Sequence, residues 1–100
     1  RSLRAVRDAV ADLRAQGCEV RLLLSPEATG HAELYGPDGR GRITACMTEL
    51  ARELDAPLID ARDWLDAADT ADGHHALMRG AVKFTERLRR DVMAPWLAER

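Results

Sequence analysis

The chain has 100 residues, of which 46% are hydrophobic and 32% are charged. A chain of this length and composition can bury the core of one small domain, or of part of one, which excludes intrinsic disorder. The net charge of −2 gives no electrostatic basis for nucleic-acid binding, and no apolar run approaches the ~20 residues needed to span a bilayer.

The first quarter of the chain predicts a helix followed by a strand. Apolar residues recur at helical spacing over residues 3–13, and Gly17 is a natural left-handed helix terminator. Residues 18–25 are apolar at alternating positions, and Leu23 adds an apolar side chain on the other face. This pattern is typical of a strand buried in a mostly parallel sheet. Cys18 and Cys46 show neither disulfide nor zinc spacing, so we expect two buried free thiols that indicate no particular redox compartment.

A long loop, a second helix–strand unit and a final helix follow. Residues 26–41 contain four glycines and two prolines and predict a loop. Apolar spacing over 43–54 predicts a helix, and residues 57–61 predict a short strand. An acidic loop at 66–73 leads into a last helix, which is expected to end before Pro95.

The predicted order of helix, strand, helix, strand and helix indicates an α/β fold with parallel strands joined by a right-handed crossover. Functional sites in such folds lie beyond the C-terminal ends of the strands. Two strands alone leave sheet edges unpaired, so we expect further strands, in a preceding part of the same domain. Residues 1–100 are therefore interpreted as a single partial domain.

The most informative motif is Asp72-Gly73-His74-His75, just before the last helix. An acid three residues ahead of a histidine in a glycine-containing loop can accept its Nδ1–H. This bond fixes the tautomer and leaves Nε2 free as a general base. Asp66 and Asp69 also precede the histidines and are alternative partners. The motif is short, and the competing interpretation is a solvated loop in which Asp72 caps the last helix.

With Gly80 five residues after His75 and an apolar helix beyond, this segment resembles the final block of the SGNH (GDSL-type) hydrolases. Two further stretches are similar to that family, the second to its acyltransferase-like members: Leu58-Ile59-Asp60 followed by Trp64 and Leu65, and Gly80-Ala81 with Phe84-Thr85. The resemblance implies a flavodoxin-like three-layer fold, His75 as general base and Asp72 as its orienting acid. It also implies a small-molecule or carbohydrate ester substrate, ester hydrolysis or O-acyl transfer, and no cofactor.

The chain departs from the family in several places. Many members have proline directly after the histidine, where this chain has Ala76. The Gly-Asp-Ser nucleophile block and the Gly-x-Asn-Asp block are absent, and the chain contains no asparagine. We therefore expect the nucleophile in the missing N-terminal half of the domain, and we expect these 100 residues alone to be inactive.

Other residues could also carry chemistry, and each has a structural alternative. Ser25 ends the first predicted strand, but Pro26 cannot supply the next backbone N–H as an oxyanion donor. Adjacent His74 and His75 point apart in an extended loop, so no metal site is predicted. His31 either lines the substrate cleft or is an exposed loop residue. The alternative to an enzyme is a non-catalytic α/β interaction module with a structural Asp–His pair.

Overall fold

A computed structural model describes residues 2–27, 38–69 and 78–99 of the chain. Within these ranges it is a small mixed α/β structure, and its helices and strands follow the predicted order. The elements, in chain order, are α1 (Ser2–Ala15), β1 (Leu22–Leu24), α2 (Gly39–Leu54), β2 (Leu58–Asp60), a 3-10 turn (Ala67–Asp69), α3 (Met78–Leu88), a π-helical turn (Arg89–Met93) and α4 (Ala94–Ala98).

The described residues divide into two compact units, the first containing 2–24 and 38–60 and the second containing 25–27, 61–69 and 78–99. In the first unit, β1 and β2 pair in parallel, with Leu22 opposite Leu58 and Leu24 opposite Asp60. A parallel pair needs a crossover connection, and α2 lies within it. Leu50 of α2 is only 2% exposed, and Val10 of α1 is 3% exposed.

The two long helices of the first unit end with the same backbone motif but with different residues. After α1, Gly17 has φ 85°, and Cys18 N donates to Leu13 O at 3.0 Å. After α2, Asp55 has φ 52°, and the N–H of the next residue donates to Ala51 O at 2.9 Å. The left-handed conformation suits glycine and is unfavourable for most other residues. The predicted role of Gly17 is confirmed.

Side chains of α1 bind the end of α2. Arg14 donates from Nη1 to Leu54 O, and from Nη2 to Asp55 O at 3.0 Å. Arg7 donates from Nε and Nη2 to the carboxylate of Glu53, at 2.5 and 3.0 Å. The last carbonyl groups of a helix lack intrahelical partners and carry partial negative charge, so the guanidinium of Arg14 stabilises them.

We expect Asp55→Gly to raise the free energy of unfolding by about 1 kcal/mol, because it removes a side chain from a left-handed residue and a negative charge from a helix C-terminus. The Arg14 bonds use backbone oxygens, so they are retained in the variant. Urea denaturation measures the change. Gly17→Ala is the matched control at the other helix end and should lower the urea midpoint. An unchanged or lower midpoint for Asp55→Gly would contradict the expectation.

Several sequence-based expectations about the first unit are wrong in detail. β1 covers Leu22–Leu24 rather than residues 18–25, and Leu23 is 38% exposed, so the strand is not buried on both faces. Within the described residues β1 pairs with β2 alone, and the further strands expected in a preceding part of the domain stay a prediction. Cys18 and Cys46 are free, as predicted, but exposed rather than buried. Cys18 lies between the glycine turn and the strand, and Cys46 lies at the margin of the apolar stripe of α2.

The boundaries of two helices also differ from the predictions. α2 begins at Gly39, so the last three residues of the predicted 26–41 loop are helical. The last helix does not stop before Pro95 but continues through the π-helical turn into α4. A proline lacks an N–H and its ring crowds the carbonyl four residues earlier. The π-helical turn, in which Ala94 N donates to Arg89 O, is wider than an α-helical turn and leaves room for the proline ring.

Among the helices of the described ranges, none combines the length and the apolar character that a membrane span requires.

Candidate functional site

The residues predicted to carry the chemistry lie mainly outside the described ranges. Asp72, His74 and His75 fall between residues 69 and 78, and His31 falls between residues 27 and 38. Ser25 is described and is exposed directly after β1. The site is therefore built from the residues on either side of 70–77, all of which belong to the second unit.

The chain leaves β1 and β2 at the same edge of the sheet, because Leu24 and Asp60 are paired in register. The segments that follow the two strands are themselves joined, since Glu27 N donates to Arg62 O at 2.9 Å. Ala61 is fully buried, and Leu65 is also buried. Both segments that follow the strands are thus fixed by backbone bonding and burial.

One face of α3 packs against the segment that follows β2. The rings of Trp64 and Phe84 lie 5.6 Å apart between centroids, tilted by 42°. The guanidinium carbon of Arg87 lies 4.6 Å from the centroid of the Trp64 ring. Phe84 and Arg87 are three residues apart on a helix and share a face. Trp64 thus packs against α3 through contacts with Phe84 and Arg87.

Asp69 binds α3 through both carboxylate oxygens. Oδ2 accepts from Lys83 Nζ at 2.8 Å and from Asp66 N at 3.1 Å, while Oδ1 accepts from Arg79 Nε at 3.1 Å. The Asp69 side chain is 2% exposed, whereas those of Lys83 and Arg79 are 50% and 69% exposed. The carboxylate is therefore the desolvated partner, and two cations and one backbone donor compensate for its burial.

The pKa of Asp69 lies well below the ordinary value of 3.8 for an aspartate. The hydrogen bond from Lys83 is the main cause, and the backbone N–H of Asp66 and the guanidinium of Arg79 act in the same direction. Burial opposes them, because it disfavours the charged form. Asp69 is therefore ionised at neutral pH.

Gly80, in the first turn of α3, lies against the backbone of Asp69. A Cβ at position 80 would overlap the carbonyl oxygen of Asp69 and would lie 3.1 Å from both its carbonyl carbon and its Cβ. The clashing atom is main chain and cannot rotate away. Glycine is therefore required here for close approach of two backbones, and this contact joins the two sides of residues 70–77.

We expect acid to weaken the contribution of Asp69 to stability. Its folded-state pKa is depressed, so this stability is fully present above the unfolded value near 3.8 and is lost as the pH falls below it. Asp69→Asn should be less stable than the unsubstituted protein at pH 5–7, and the gap should narrow toward pH 2. Thermal unfolding across this range tests this, with the exposed Asp66→Asn as control. A stability difference between the unsubstituted protein and Asp69→Asn that does not change with pH would contradict the depressed pKa of Asp69.

Sequence patterns did not identify Asp69 and Lys83 as partners. In the sequence, Asp69 is only one of three acids ahead of the histidines, and an arginine near the start of a helix, such as Arg79, is most simply interpreted as solvent-facing. Arg79 is indeed largely exposed, but it binds Asp69. One signal was available: Lys83 is the only lysine in a chain with fourteen arginines. A compact ammonium is not interchangeable with a planar guanidinium, and Lys83 makes the shortest of the bonds to Asp69.

The described hydrogen bonds of Asp69 and Asp66 bear on which acid could accept the N–H of a histidine. Both oxygens of Asp69 accept hydrogen bonds from α3 or from Asp66 N, which favours one of the other acids as the partner of a histidine. Asp66 is largely exposed, and its Oδ1 accepts from Ala68 N at 3.0 Å as the cap of the 3-10 turn.

Across ranges 2–27, 38–69 and 78–99, no three His, Cys, Asp or Glu residues are grouped to hold a metal.

The first unit contains an open groove of about 430 Å³ where α2 ends and β2 begins. It is lined by Thr48, Ala51, Arg52 and residues 55–58. The described residues that line this groove are not among the predicted site residues.

Comparison with protein-family models, curated proteins and solved structures gives no significant match to this chain.

Proposed function

We propose that these 100 residues form the C-terminal part of an SGNH-type serine hydrolase domain with a flavodoxin-like three-layer fold. In this proposal His75 is the general base and Asp72 accepts its Nδ1–H. The nucleophilic serine comes from a part of the protein outside these residues. The reaction is ester hydrolysis or O-acyl transfer on a small-molecule or carbohydrate ester, and it requires no cofactor.

The contact between Gly80 and the Asp69 backbone carries the proposal. Gly80 is the residue on which the SGNH resemblance depends after the histidine itself, and it has a steric reason to be glycine. The contact brings together the two described sides of residues 70–77, which contain Asp72 and His75. An acid–base pair has to be held in place to work, so a segment fixed at both sides is suited to carry one.

The sheet topology supports the proposal independently. In α/β folds, active sites lie beyond the C-terminal ends of parallel strands. β1 and β2 are parallel and end level with one another, and the segment with Asp72 and His75 follows β2 in the chain. This order is the one expected for the last acid–base block of such a domain.

The proposed reaction passes through an acyl-enzyme. Nε2 of His75 takes the proton of the serine hydroxyl as its oxygen attacks the ester carbonyl carbon. The protonated imidazole then gives this proton to the leaving alcohol as the C–O bond breaks. His75 next takes the proton of the second acceptor, a water or a sugar hydroxyl, as the acceptor oxygen attacks the acyl carbon. The imidazolium gives that proton to the serine oxygen as the acyl–serine bond breaks. Asp72 stays ionised and stabilises the imidazolium.

A fluorophosphonate probe tests the proposal on the gene product that contains this chain. The probe forms a covalent bond only with an activated serine. We expect one labelled serine outside these 100 residues. We also expect His75→Ala to slow labelling by at least ~10³-fold, because the nucleophile loses its base.

His74→Ala is the matched control, since it removes the adjacent imidazole and should leave the labelling rate unchanged. Equal labelling of the unsubstituted protein and of His75→Ala would overturn the proposal. It would favour the non-catalytic α/β interaction module instead. If the probe labelled Ser25, the proposed chemistry would stand, and Ser25 of this chain would be the nucleophile.

A further inference from the structure

We infer that Asp69 is a positioning residue for the Asp72–His75 pair, acting by holding together the two sides of residues 70–77. The inference rests on the proposed function, and it adds a residue that the SGNH resemblance does not assign. The described hydrogen bonds of Asp69 come from Asp66 N and from α3, and they give it a holding role rather than a place in the proposed chemistry.

Asp69 contacts α3 with its side chain and with its main chain. The carboxylate binds Arg79 and Lys83, which are four residues apart and lie one turn from each other on the helix. The carbonyl group lies against Gly80, between those two positions. Contacts with three residues within about one turn of the helix restrict both the distance and the rotation between Asp69 and α3.

The contacts require an ionised carboxylate. Asparagine has nearly the same shape, but its NH₂ group would face either the guanidinium of Arg79 or the ammonium of Lys83, and both of these are donors only. One of the two bonds would therefore be replaced by a donor–donor contact. The buried position of Asp69 gives water little access to compensate for this loss.

Loosening this contact should lower turnover rather than substrate binding. A misplacement of about 1 Å in a catalytic group costs on the order of 10²-fold in rate. We therefore expect Asp69→Asn to reduce kcat by ~10- to 100-fold with an unchanged KM. Because fewer folded molecules would also lower the apparent rate, kcat has to be expressed per active site.

The experiment uses the complete gene product and p-nitrophenyl acetate as substrate. Long incubation with the fluorophosphonate probe counts the competent sites, and kcat is divided by that count. Asp66→Asn is the matched control, since it makes the same charge change in the same turn while keeping the Asp66 N–H that binds Asp69. It should retain the kcat per site of the unsubstituted protein.

A purely structural role for Asp69 would reduce the number of labelled sites and leave kcat per site unchanged, and this result would overturn the inference. An equal loss in Asp66→Asn would overturn it as well, because it would assign the effect to charge in the turn. Should Asp69→Asn fail to fold, Lys83→Gln carries the test, since it removes the Lys83 ion pairs with Asp69 and, at 4.0 Å, with Asp66 but keeps the Asp69 bond from Arg79. A normal kcat per site in Lys83→Gln would then be the contradicting result.

The outcome for His75→Ala separates the two proposals. Loss of labelling in His75→Ala, with a normal kcat per site in Asp69→Asn, rejects the positioning role alone. Normal labelling in His75→Ala rejects the proposed function, and the positioning role with it.

Discussion

Replacing Gly80 with alanine is expected to lower the free energy of unfolding by about 1–3 kcal/mol, the usual cost of overpacking. The added Cβ overlaps the Asp69 carbonyl oxygen, so α3 and the 3-10 turn must move apart. Helix propensity acts in the opposite direction, because alanine is favoured over glycine by about 1 kcal/mol in a helix interior. The sign of the change therefore reports whether the close contact exists. Urea denaturation at pH 7 measures it.

Gly41→Ala is the matched control for Gly80→Ala. Gly41 also lies in the first turn of a helix, and a Cβ there would meet nothing within 4 Å. The free energy of unfolding of Gly41→Ala should rise by roughly 0.5–1 kcal/mol, because alanine loses less backbone entropy on folding. If both variants became more stable, residues 69 and 80 would not be in contact, and the observation that carries the proposed function would be lost.

Replacing Asp72 with asparagine is expected to lower kcat by about 10³- to 10⁴-fold while KM stays nearly constant. Asparagine has almost the same shape, but it neither stabilises the imidazolium nor selects the tautomer that leaves Nε2 free. A loss confined to kcat indicates an interaction made in the transition state. Steady-state kinetics on the complete gene product measure it.

Asp66→Asn is again the control for Asp72→Asn and should keep the unsubstituted rate. A large loss in Asp66→Asn with a normal rate in Asp72→Asn would assign the acid to Asp66. Normal rates in both variants would contradict an acid–base role for this loop.

The sequence predicted the order of elements because hydrophobic periodicity determines element type. Leu3, Val10 and Leu50 lie in helices as expected, and Gly17 ends α1 in the left-handed conformation. The limits of the elements were less predictable. Pro95 was expected to end the last helix, but a π-helical turn accommodates it, and this depends on hydrogen bonding that periodicity does not encode.

Burial was harder to predict than periodicity. Leu23 and the two cysteines fall in apolar patterns but are exposed, because burial depends on what covers a face as well as on which side chains it presents. Local sequence patterns do not show which other elements will pack over a given face.

The acid–base chemistry was predicted from one short motif. The contacts of Asp69 with Lys83 and Gly80, on either side of that motif, were not predicted. Asp69 and Lys83 are fourteen residues apart, and no local rule pairs them across the acidic loop. The steric need for glycine at position 80 likewise appears only when α3 is placed against the turn. The motif residues Asp72 and His75 lie outside the described ranges, so their pairing stays a prediction.

The proposed function depends on one hydrogen bond, in which Nδ1–H of His75 donates to the carboxylate of Asp72. The ¹⁵N chemical shifts of the neutral His75 ring measure the position of this proton without any substrate, and Asp72→Asn serves as the comparison. We expect the Nδ1–H form in the unsubstituted protein and a shift toward the Nε2–H form in Asp72→Asn. A ring that carries its proton on Nε2, or one whose shifts do not respond to Asp72→Asn, would contradict the pairing.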